Sequence, residues 1–84
     1  MSDAVQYFVI VADQASRAAA GLARRTYAEA GPLDETLHRD LTWQPDSAIA
    51  EWEYGDLAAE LVPISASEAE NLTQAFRARW RAVR

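Results

Sequence analysis

Residues 13–32 read DQASRAAAGLARRTYAEAGP, and the architecture of the chain turns on what they form. Asp13 is a natural N-cap, because its carboxylate can accept from the unpaired N–H groups of a first helical turn. Counting about 100° per residue, Ala15, Ala19, Leu22, Ala23, Thr26 and Ala30 fall on one side, with Arg17 and Arg24 opposite. Gly31 and Pro32 supply a left-handed C-cap and a residue that cannot continue a helix. The spacing therefore predicts a helix over 14–30.

Upstream, 5–12 is a run of β-branched and aromatic residues (Val5, Tyr7, Phe8, Val9, Ile10, Val11) with little polar alternation. That pattern predicts a strand covered on both faces. Downstream, 60–65 reads as a short strand, and Pro63, with no N–H to give a ladder, places it at a sheet edge. A helix over 67–83 follows. Ser65 with Glu68 and Ser67 with Glu70 both match the spacing of a capping box. Ala69, Leu72, Phe76, Trp80 and Val83 recur at three and four residues as its inward stripe.

The middle supports two readings. Leu37 and Leu41 are spaced as in a helix, yet Leu37, Arg39, Leu41 and Trp43 alternate as in a strand. A helical turn near 34–39 followed by a strand over 40–44 is favoured. After Pro45, Asp46 or Ser47 can cap a helix over 47–54 with Ile49 and Trp52 on one face, stopping at Gly55. Its rival is a strand with Ala50, Trp52 and Tyr54 on one side. The expected class is α+β, a small two- or three-stranded sheet (5–12, 60–65 and, as third member, 40–44) packed by helices over 14–30, 47–54 and 67–83. If the first and last strands are neighbours, a right-handed connection would make them parallel. Residues 1–84 form a single domain, since domains cluster at about 100–150 residues.

Half the residues are hydrophobic and a quarter charged, a globular composition. Alanine accounts for 18 of the 84, so the core must rest on a few large side chains such as Phe8, Leu22, Leu61, Leu72, Phe76 and Trp80. There is no cysteine, which removes disulfides, thiolate metal sites and cysteine nucleophiles. No stretch has the basic start and long apolar run of a signal peptide or the length of a membrane span, so a cytoplasmic protein with no membrane association is expected. All eight bases are arginine and none is lysine, the mark of a GC-rich genome such as that of a bacterium or its phage.

The charge is sorted along the chain. Residues 29–70 hold eleven carboxylates against the single base Arg39, while 71–84 carry Arg77, Arg79, Arg81 and Arg84 and no acid. With a net charge of −5, the chain lacks the general attraction on which nucleic-acid binding depends, despite the aromatic Arg-Trp-Arg segment near its end. The terminal arginines are better used on the helix dipole and in pairs with the middle acids.

No phosphate loop, dinucleotide fingerprint or nucleophile elbow is present. His38, the only histidine, has no second histidine for a zinc site and reads as a surface residue. Glu51 and Glu53 flank Trp52 like the carboxylate pair of a glycosidase, but a chain this short seldom encloses a sugar. No catalytic residue, cofactor or metal is therefore expected, and a small enzyme using His38 or Glu51 and Glu53 is the minor alternative. Large aromatics interleaved with acids resemble an anchor for a basic surface. Asp46, Glu51, Trp52, Glu53, Tyr54 and Asp56 are the expected partner-binding residues. Core packing competes for Trp43 and Trp52, and equally for Tyr54. The expectation is a non-enzymatic interaction protein of the inhibitor, immunity or antitoxin kind, docking on a basic protein. The alternative is a self-associating (homodimeric) accessory subunit of a larger bacterial complex.

Overall fold

The computed structural model describes residues 4–12, 15, 16 and 18–82. The expected roles of Asp13, Arg17, Val83 and Arg84 lie outside them. Five strands form one antiparallel sheet: β1 (Ala4–Val11), β2 (Ala19–Ala28), β3 (Gly31–Leu37), β4 (Trp43–Pro45) and β5 (Glu60–Ile64). Their spatial order is β4-β3-β2-β1-β5. Two helices complete the fold, α1 (Ala48–Glu53) and α2 (Ala66–Ala82).

The largest correction concerns 13–32. No helix spans 14–30; its second half is β2, the central strand, followed by a turn at Glu29–Ala30 and the start of β3. The class remains α+β, but the sheet has five strands rather than two or three. Alanine's helix preference is worth only tenths of a kcal/mol per residue over most competitors. In the sheet this segment gains ladders on both sides, with Val9 opposite Leu22 in β1 and Thr36 opposite Ala23 in β3. Leu22 and Ala23 are then both fully buried, on opposite faces. The hairpin also sets Arg24 against Glu35 and Arg25 against Asp34. Gly31, at φ +127°, supplies the turn's unusual backbone and begins a strand instead of ending a helix.

The expected helical turn near 34–39 is likewise β3, and the strand placed at 40–44 begins only at Trp43. Between them runs a tight turn in which Leu41 adopts φ +66°, held by Leu41 N–H on the His38 carbonyl at 2.8 Å and His38 N–H on the Thr42 carbonyl at 2.9 Å. First and last strands are neighbours, but antiparallel. The chain meanders through four strands and then crosses the sheet from one edge to the other by way of α1, which reverses the sense expected for β5.

Helix α1 settles the rivalry at 47–54: Ser47 occupies the N-cap position without a side-chain cap bond, and the capping side chain is that of Asp46, whose Oδ1 accepts from the Ala48 N–H at 2.7 Å. Of the two capping-box candidates the fold uses Ser65. Its hydroxyl accepts from Glu68 N–H at 3.1 Å while its own N–H reaches Glu68 Oε1 at 3.2 Å.

The helices lie on opposite faces. Phe8, Ala23 and Leu61 pack with Ile49 of α1, joined by Ile10, Trp52 and Leu57. Leu22 and Leu37 pack with Phe76 of α2, joined by Val9, Leu72, Trp80 and others. β1 is thus covered on both sides, and the stripe of α2 faces it as its spacing indicates. All three prolines lie on outer strands or on the part of β3 that β4 does not reach: Pro63 in β5, Pro45 in β4 and Pro32 in β3. Each denies the sheet edge a donor, which blunts strand addition by another chain.

Candidate functional site

Three of the eleven carboxylates of 29–70, Asp34, Glu35 and Glu53, form ion pairs with arginines of β2. On the α1 face, Arg25 forks onto Asp34, Nε to Oδ1 at 2.7 Å and Nη2 to Oδ2 at 2.9 Å. The same guanidinium donates to both carboxylate oxygens of Glu53, at 3.1 and 2.9 Å. The hydrogen bond to Asp34, then that to Glu53, raise the Arg25 pKa above the ordinary arginine value. On the α2 face Arg24 Nε donates to Glu35 at 2.9 Å, and its guanidinium carbon lies 4.2 Å from the centre of the Trp43 ring. None of Arg77, Arg79 and Arg81 forms an ion pair among the described residues, so the acids are paired by β2 rather than by α2.

The predicted partner-binding residues lie on α1 and its flanks but are not equally available. Trp52 is half-buried against Phe8, ring centres 5.9 Å apart, and belongs to the core. Glu53 is engaged by Arg25. Asp46 caps α1 and accepts a hydrogen bond from the Thr36 hydroxyl at 3.3 Å. Glu51 accepts from the Ser47 hydroxyl while remaining exposed. Tyr54, just past α1, is 83% exposed, and exposed Asp56 follows Gly55 at φ +82°. Glu51, Glu53, Tyr54 and Asp56 are exposed, Glu53 while held by Arg25; Glu51, Tyr54 and Asp56 are the exposed members outside that ion pair.

His38 is exposed in the β3–β4 turn. Next to it, Asp40 accepts from the Thr42 hydroxyl at 2.6 Å and from its N–H at 3.1 Å. The hydroxyl contact, then the N–H, hold the Asp40 carboxyl below its ordinary pKa. Among the described residues no three acids or histidines converge as metal ligands.

One cleft was not anticipated. Its volume is about 300 Å³, and Tyr7, Trp43, Ala66, Ala69, Glu70 and Thr73 line it, with neither His38 nor Glu51 among them. Tyr7 and Trp43 meet edge to face at 6.2 Å although two strands separate β1 from β4. No local pattern could have joined them, because only the register of the sheet puts Tyr7 beside Arg24 and Arg24 beneath the span to Trp43. A signal for the hairpin did exist. The Arg24-Arg25 and Asp34-Glu35 pairs mirror each other about Glu29–Ala30, as cross-strand partners must.

No described helix is long and apolar enough to cross a membrane. Compared with known protein families, curated proteins and solved structures, the chain matches none of them.

Proposed function

We propose that the chain is a non-enzymatic, cytoplasmic interaction protein that docks the α1 end of its surface on a basic protein. The observation that carries this reading is Tyr54, a large aromatic left 83% exposed between the exposed acids Glu51 and Asp56. An amphipathic ring ringed by charge of one sign suits an anchor for an arginine-rich surface. Trp52 and Glu53 support the site from behind, one by packing and one by holding α1 to β2, and are not contact residues.

The test begins with capture of the partner from the native host, followed by association and dissociation rates. Glu51→Arg with Asp56→Arg should leave the fold intact, because exposed charges contribute about 0–1 kcal/mol each. The reversal should slow association and flatten its salt dependence, whereas Tyr54→Ala should speed dissociation. Affinity that ignores both the reversals and ionic strength from about 0.05 to 0.5 M, over which the screening length shrinks roughly threefold, would exclude this surface. A chain that instead sediments as a dimer, with no other partner, would establish the self-associating subunit.

A further inference from the structure

On the other face of the sheet, α2 leaves the ends of the strands uncovered. Residues two apart in a strand share a face, so Val5 and Tyr7 lie together, as do Leu33, Glu35 and Leu37. The register sets Val5, Thr26 and Leu33 in one row across β1, β2 and β3, and Tyr7, Arg24 and Glu35 in the next. Val5 is 41% and Leu33 49% exposed, which makes the first row an apolar ledge beside the cleft of Tyr7 and Trp43.

Charge decides what the cleft can hold. Arg24 lies against Trp43 but is met by Glu35 at 2.9 Å, so that pair contributes little net charge. The remaining charged group in the lining is Glu70, exposed on the first turns of α2, with no hydrogen-bond or ion-pair partner among the described residues. Thr73 is already occupied, its hydroxyl donating to the Ala69 carbonyl at 2.7 Å. Arg24 already lies over the Trp43 ring, so what favours a further cation is the unpaired Glu70 carboxylate, through a charge-assisted hydrogen bond, beside the aromatic walls of Tyr7 and Trp43.

We propose that the Tyr7–Trp43–Glu70 cleft receives an arginine or lysine side chain of a protein partner, with Val5 and Leu33 as the apolar surface beside it. A protein is favoured over a free small cation because exposed apolar side chains flanking an aromatic pocket have the anatomy of a protein interface. The inference shares with the proposed function only the basic character of the partner, since its residues lie on the opposite face from α1.

The experiment follows the three assigned tryptophan indole signals by NMR as acetyl-Gly-Arg-Gly-amide is added. Its citrulline counterpart (same shape, no charge) and methylguanidinium serve as separate probes. The arginine peptide should shift Trp43 and the Glu70 and Thr73 amides, and bind at least about tenfold more tightly than the citrulline peptide. Glu70→Gln should remove most of that difference, and Ala66→Phe, at an exposed position on the lining, should block the shifts. Both substitutions leave the buried cores untouched, so the test does not depend on truncating Trp43. Equal binding of the two peptides, shifts centred on Tyr54, or an unchanged response in Glu70→Gln would overturn the proposal. So would methylguanidinium binding as tightly as the peptide, which would make the cleft a small-cation site. The Glu51→Arg, Asp56→Arg variant should respond as the parent does, which separates this outcome from the fate of the α1 surface.

Discussion

The two faces of the sheet are closed by different means. Seventeen-residue α2 starts with a capping box and lays Leu72, Phe76 and Trp80 on Leu22 and Leu37, with the Phe76 and Trp80 rings stacked at 4.9 Å. α1 has six residues, buries Ile49 alone among them, and is too short to persist by backbone bonds. It is held by the Asp46 cap and by Arg25, which ties β2 to Asp34 of β3 and to Glu53 at once. Where apolar area is scarce, the chain substitutes ionic ties, and this is why Asp34 and Glu53 are structural. The comparison also divides the surface: the α1 side leaves Tyr54 exposed beside Glu51 and Asp56, and the α2 side keeps an aromatic cleft.

The sharpest way to break the contrast is at the two cores. Phe76 is fully buried, so Phe76→Ala should cost about 3–5 kcal/mol, enough to unfold a domain of this size in a chemical denaturation experiment. Ile49→Ala should cost about 2–4 kcal/mol and first weaken hydrogen-exchange protection in α1 and the flanking turns, leaving α2 protected. Equal loss of protection on both faces would show that they unfold as one unit.

The ionic ties come next. Arg25→Gln should destabilise by about 1–2 kcal/mol, more than Arg24→Gln, because it strips two carboxylates of their partner and one of them, Asp34, is largely shielded from solvent. If the two variants are equally stable to urea, the Arg25 network does not hold α1.

The smallest effect belongs to the β3–β4 turn. Asp40 has a folded-state pKa below its unfolded value, so its contribution is present above the ordinary carboxylate range and is lost as pH falls through the lowered value. Thr42→Val should return the Asp40 titration, followed by carboxyl NMR, toward the ordinary value. The variant should also be less acid-sensitive than the parent between neutral pH and about pH 2–3.

Legibility in the sequence follows the range of the forces. The strand at the start, the edge strand with Pro63 and the last helix depend on residues within a few positions of one another, and they stand within a residue or two of where the pattern places them. The capping of α1 by Asp46 is equally local. β2 is the opposite case. Its alanines and its Gly-Pro ending favour a helix locally, and only pairing on both edges outweighs that preference. Of the predicted docking residues, Glu51 and Asp56 were legible as surface; Tyr54 was balanced between core and surface until the fold exposed it, and the fates of Trp52 and Glu53 were set by Phe8 and Arg25, distant in sequence.

By itself the sequence determined an acidic chain without cysteine, α+β in class, with a two-faced first strand and a capped amphipathic last helix. These follow from composition and from side-chain periodicity. The tertiary structure alone decided the five-stranded order, the antiparallel pairing of β1 and β5, which acids are paired, and the meeting of Tyr7, Trp43 and Glu70. Those depend on strand register and on which face a residue shares with residues far along the chain, and no local pattern encodes either.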